Sequence, residues 1–84
     1  MVKNDMRAEA GSKNLVGPRV RALRQKAGLS QEELMTQLQL LGMTSERGVV
    51  KRMENGDRAV SDLEVRLLAR YFKVSYEYLI DGTN

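Results

Sequence analysis

The sequence predicts an all-α fold of five short helices. Three observations carry this: apolar residues recur at spacings of three and four, Ser-x-x-Glu runs open two such stretches, and glycines close several of them. No stretch makes a convincing strand, and neither an internal repeat nor a low-complexity segment interrupts the pattern.

Met1 to Asn14 mixes Lys3, Asn4, Asp5, Arg7, Gly11, Ser12 and Lys13 without sustained apolar periodicity, and is expected to form a flexible arm ahead of a domain spanning residues 15–84. The first helix starts near Pro18, a favoured first-turn residue, sets Val16, Val20, Leu23 and Ala27 on one face, and stops at Gly28. Ser30-Gln31-Glu32-Glu33 then spells a capping box, so the second helix begins at Gln31. Leu34, Met35, Leu38 and Leu41 form its apolar face before Gly42 closes it. After a turn through Met43, Thr44 and Ser45, Val50 and Met53 mark a third helix of about ten residues that ends at Asn55-Gly56. Ser61-Asp62-Leu63-Glu64 repeats the capping box, and Leu63, Leu67, Leu68, Tyr71 and Phe72 give the fourth helix a broad apolar face. Ser75 caps a short fifth helix carrying Tyr76, Leu79 and Ile80, which Asp81-Gly82 terminates.

Composition narrows the function. A chain of 84 residues with 42% apolar content closes one modest core. The absence of cysteine and histidine removes disulfides, thiolate metal sites, histidine bases and the usual zinc ligands, so neither an enzyme nor a cofactor is expected. No apolar run approaches the roughly 18 residues of a membrane span and the polar start lacks a signal-peptide core, which predicts a cytoplasmic protein. The net charge is +3 with a pI near 9.5, and the basic excess lies between residues 15 and 60, which hold eight basic and five acidic side chains. That placement suits a polyanionic partner.

On a helical wheel with Arg47 at zero, Lys51 falls at about 40°, Gly48 at about 100° and Arg52 at about 140°, while Val50 falls at about 300° and Met53 at about 240°. The third helix therefore buries its back and presents a basic face suited to the major groove of DNA. Arginine there can bond both guanine acceptors with its planar fork, and Lys51 can reach guanine or phosphate. A basic face is by itself ordinary on a surface helix. Its neighbours give it meaning: one connection separates it from the capped second helix, and Arg58 follows on a Gly56-Asp57-Arg58 turn placed for backbone contacts.

Val20-Arg21-Ala22-Leu23-Arg24, Gly28-Leu29-Ser30-Gln31-Glu32-Glu33-Leu34 and Met53-Glu54-Asn55-Gly56, taken in order, resemble the phage-repressor and Cro-like (xenobiotic-response-element type) helix-turn-helix family over about residues 16–82. The resemblance implies a five-helix, lambda-repressor-like helix-turn-helix DNA-binding domain of a bacterial or phage transcriptional regulator. It implies base contacts at Arg47, Gly48 and Arg52, and phosphate contacts at Gln31, Asn55 and Arg58. It also implies a largely buried ion pair between Arg24 and Glu54, which the wheel supports by setting Glu54 at about 340°, beside Val50.

Three departures stand out. The connection before the third helix is several residues longer than the commonest form of the motif. Glu46 occupies a position where a small hydroxyl residue usually caps the recognition helix, so Ser45 or Thr44 is left for the cap, and Glu46 can instead accept from a cytosine amine. Gly48 sits where a polar side chain is common, either allowing close approach to the groove or leaving one base unread.

The expected partner is double-stranded DNA carrying a pseudo-palindromic operator, bound by a homodimer, because one such domain reads too few base pairs to be selective. Tyr76, Tyr78, Leu79 and Ile80 either form the dimer surface or cover the core. Lys3, Arg7 and Lys13 either add phosphate contacts or belong to a solvated tail. The alternative reading is an antitoxin-like or accessory module that uses the same fold to hold a protein partner.

Overall fold

The computed structural model describes residues 11–44 and 48–83. Among them the regular elements are five α-helices: α1 (Gly17–Lys26), α2 (Gln31–Leu40), α3 (Val49–Asn55), α4 (Asp62–Phe72) and α5 (Tyr76–Asp81).

Side-chain caps set three of the five starts. Ser30 Oγ accepts from the Glu33 amide at 3.0 Å, and Glu33 Oε1 accepts from the Ser30 amide at 2.7 Å. Ser61 and Glu64 repeat the arrangement at the head of α4, at 3.2 and 2.9 Å. Ser75 Oγ accepts from the Tyr78 amide at 3.0 Å and opens α5. Each box satisfies two backbone donors that the helix itself leaves unpaired, which is why these boundaries fall where the serines stand.

The start of α1 is built differently. Asn14 Oδ1 accepts from the Gly17 amide at 2.8 Å, while Asn14 Nδ2 donates to the carbonyls of Met53 and Arg58 at 3.0 and 2.9 Å. The Lys13 amide donates to the Gly56 carbonyl at 2.9 Å. Residues 12–14, expected to end a flexible arm, are thus bound to the end of α3. A primary amide offers two donors and an acceptor, so one asparagine serves three backbone groups at once. Residues 1–10 of that arm lie outside the described residues.

The core collects Val16 and Val20 from around α1, Leu34 and Leu38 from α2, Met53 from α3, Leu68 from α4 and Leu79 from α5, each at most 1% exposed. Helix α3 packs against both α1 and α2; α4 packs on α2 and α5, and α5 returns to α1. A Cβ on Gly17 would stand 2.5 Å from the Met53 carbonyl oxygen, so only glycine lets the start of α1 lie against the end of α3. Ser12 and Asn14 from the beginning of the described chain, with Ile80 and Asp81 from its end, line one cleft of about 200 Å³.

Four expectations are corrected. Leu63 is 72% exposed, because the buried residues of α4, Leu68 and Ala69, lie about 140° and about 240° around the helix from it. Leu41 is 52% exposed: the chain turns back at Gly42, the Met43 amide donates to the Leu38 carbonyl at 3.0 Å, and Met43 fills the core position instead. Ala27, at the C-cap of α1, is exposed rather than part of the apolar face. The third helix has seven residues rather than about ten, because Gly48 stands before it with φ 80°, a left-handed conformation no right-handed helix contains.

Candidate nucleic-acid interface

With Val49 at zero on the wheel, the buried residues Val49, Met53, Val50 and Glu54 span about 0–140°, and Lys51, Asn55 and Arg52 span about 200–300°. Lys51 and Asn55 are exposed and Arg52 is half-buried. Helix α3 therefore has one face wholly committed to the fold and one that carries cationic and amide side chains. Arg47 lies outside the described residues, as do Ser45 and Glu46.

Gly48 is not a mid-helix glycine. It is the N-cap of α3, its carbonyl accepts the first helical bond from the Arg52 amide at 3.0 Å, and a Cβ there would lie 3.3 Å from Arg52 Nη1. The Arg52 side chain thus runs back along the helix start, past a residue whose lack of a side chain leaves it room. What Gly48 itself presents outward is backbone.

Beneath this face Glu54 is an acceptor for three side chains. Arg24 approaches it in fork geometry, Nε to Oε2 at 2.6 Å and Nη2 to Oε1 at 3.0 Å, and passes its third nitrogen to the Leu29 carbonyl at 2.8 Å. Gln31 Nε2 donates to Oε1 at 3.0 Å, and Arg21 Nε reaches the same oxygen at 3.4 Å. The Glu54 side chain is fully buried. Burial on its own would raise its carboxyl pKa; the bonds from Arg24 and Gln31, the charge of Arg24 and the bond from Arg21 outweigh this and hold it below the ordinary carboxylate range. The cluster joins α1, the N-terminus of α2 and the end of α3.

Gln31, expected to face a phosphate, thus directs an amide hydrogen inward. Asn55, at the last position of α3, accepts from Arg21 Nη2 at 3.2 Å and remains exposed. Arg58 sits past α3 with its side chain 30% exposed and engages both Glu64 oxygens through Nη1 at 3.2 Å. The structure brings Gln31, Asn55, Arg24 and Glu54 into one hydrogen-bonded group and leaves Lys51 apart from it.

Arg21, Asn14 and Glu64 escaped the sequence reading. Arg21 precedes Arg24 by three residues, the spacing that puts two side chains on one helix face, so a signal was present. Asn14 stands three residues before the first residue of α1, within reach of a capping role. In the sequence Glu64 is half of a capping box; that its carboxylate also takes Arg58 depends on how the intervening turn folds.

A family model described as helix-turn-helix matches residues 20–79, from the first turn of α1 into α5. Neither a curated protein nor a solved structure gives a significant match.

Proposed function

Because this chain belongs to the Cro/C1-type helix-turn-helix family and is a DNA-binding regulator of that kind, we propose that it represses transcription in the cytoplasm by reading an operator with α3 in the major groove. Arg47 and Arg52 are the base readers, Lys51 bonds a guanine or a neighbouring phosphate, and Gly48 lets the backbone come close to the groove without reading a base itself. Gln31, Asn55 and Arg58 bind phosphates on either side, Gln31 through the amide hydrogen that it does not give to Glu54. Arg58 engages Glu64 through Nη1 alone, which leaves the rest of its fork for a phosphate oxygen.

The observation that carries this reading is the division of α3 into a buried arc and an outward arc that holds Lys51, Asn55 and Arg52. It is supported by the flanking positions of Gln31 at the capped start of α2 and Arg58 just beyond α3.

The repressor acts as a homodimer. Val60, Leu63, Val65, Arg66, Tyr76 and Ile80 line an apolar groove of about 520 Å³ between α4 and α5, with Leu63 72% and Tyr76 54% exposed. Asp62 lines the same groove beside Leu63, giving its apolar floor a charged edge. Of the residues expected on this surface, Leu79 is fully buried and belongs to the core, Tyr78 does not line the groove, and Tyr76 and Ile80 are the contribution of α5.

Selection of bound duplexes from a random pool tests the proposal. Enriched inverted repeats with half-site centres about 10 base pairs apart are expected. Arg52→Ala should erase the preference for the selected site over a scrambled one, whereas Arg58→Ala should weaken both alike. A pool that shows no enrichment overturns the reading.

A further inference from the structure

We infer that Arg21 is a phosphate-binding residue of the DNA interface, held in position by Glu54 and Asn55; the inference rests on the DNA-binding reading above. Charge and geometry both point to it. Arg24 and Arg21 both reach Glu54, but they are not equivalent. Arg24 is 12% exposed in its side chain and directs all three guanidinium nitrogens to acceptors of the protein, two of them to the carboxylate. That pairing matches the single negative charge of Glu54. Arg21 is the second cation on the same carboxylate, at the longer distance of 3.4 Å, with its side chain 48% exposed. One positive charge is therefore left over at the surface.

That charge is also fixed in place. Nε is directed to Glu54 Oε1 and Nη2 to Asn55 Oδ1 at 3.2 Å, while Nη1 has no acceptor among the described residues. The guanidinium thus lies between the last residue of α3 and Glu54, whose Oε1 also receives Gln31 from α2. A fork held at two points loses less freedom on meeting a phosphate than a free side chain does, and its remaining donors suit phosphate oxygens. Arg21 thereby adds α1 to an interface otherwise supplied by α2, α3 and the turn after it.

Binding of the selected duplex and of a scrambled duplex of equal length, followed across a salt series, tests this. Arg21→Ala is expected to reduce the steepness of log affinity against log salt by about 0.9, the value for one phosphate contact, on both duplexes, leaving their affinity ratio unchanged. Arg21→Lys, which keeps the charge, should restore the slope. Arg70→Ala removes the same charge from the exposed face of α4 and should leave the slope as in the wild type. An unchanged slope in Arg21→Ala while the wild type binds normally, or an equal change in Arg70→Ala, overturns the inference and spares the DNA reading. Loss of salt-dependent binding in the wild type itself overturns both.

Discussion

Glu54 is where a single residue decides most. Its carboxylate is fully buried and accepts from Arg24, Arg21 and Gln31, so removal of the principal donor leaves the buried charge with only the longer Arg21 contact and the Gln31 amide. Arg24→Ala is expected to cost roughly 3–5 kcal/mol, the range for breaking a buried pair by deleting one partner. Thermal or denaturant unfolding measures it, and an unchanged midpoint would remove Glu54 from its central role. The same group makes stability depend on acid. Its folded pKa lies below the ordinary value of about 4.3 that it has in the unfolded chain, so its contribution is complete above that value and is lost as pH falls toward the folded pKa. Glu54→Gln should be less stable than wild type at neutral pH, with the gap between the two melting midpoints closing on acidification below about pH 4. The Arg24–Glu54 pair was legible through the family resemblance and the wheel. The inward turn of Gln31 was not, because a glutamine at a helix start reads equally well as a surface donor until the crossing of α2 and α3 is known.

At the scale of elements, short helices are defined by their ends. The starts of α2, α4 and α5 could be read from the chain because a serine cap and, for α2 and α4, a glutamate three residues on act over a few ångströms of local backbone. The start of α3 could not, since Gly48 fits a helical wheel as well as it fits a left-handed cap and nothing in its neighbours distinguishes the two. Leu63 was misread for a related reason: on α4 several leucines compete for one face, and the packing of Leu68 and Ala69 against the core decides which face wins. The contact between α1 and α3 gives a test at this scale. Gly17→Ala forces a methyl against the Met53 carbonyl, an approach of 2.5 Å that backbone must relieve. It should destabilise the protein by about 1–3 kcal/mol, the cost of overpacking, although alanine is the better helix former. A chemical-denaturation midpoint at or above that of the wild type would show that the two helices have room to separate.

For the whole molecule, the runs Val20–Arg24, Gly28–Leu34 and Met53–Gly56, taken in order, sufficed to place the family. Which surface meets a second copy was not legible, because Tyr76, Leu79 and Ile80 share one short helix and only the folded arrangement separates the buried Leu79 from the exposed Tyr76. The dimer proposal predicts that Leu63→Glu, which places a charge at the centre of the α4–α5 groove, yields a folded monomer with much weaker affinity for a two-half-site operator. Sedimentation equilibrium, paired with circular dichroism to check folding, measures this. A variant that still sediments as a dimer would send the search to another face. The shared cleft of Ser12, Asn14, Ile80 and Asp81 has a consequence for how the domain can be rewired. With Ser12 and Asp81 lining one cleft, a short glycine-rich linker can join these two positions, and the chain can be cut afresh at the exposed Leu41–Gly42 turn. Such a circular permutant would carry new ends between α2 and α3, turning an interior turn of the chain into a place where a reporter or a second reading module can be attached.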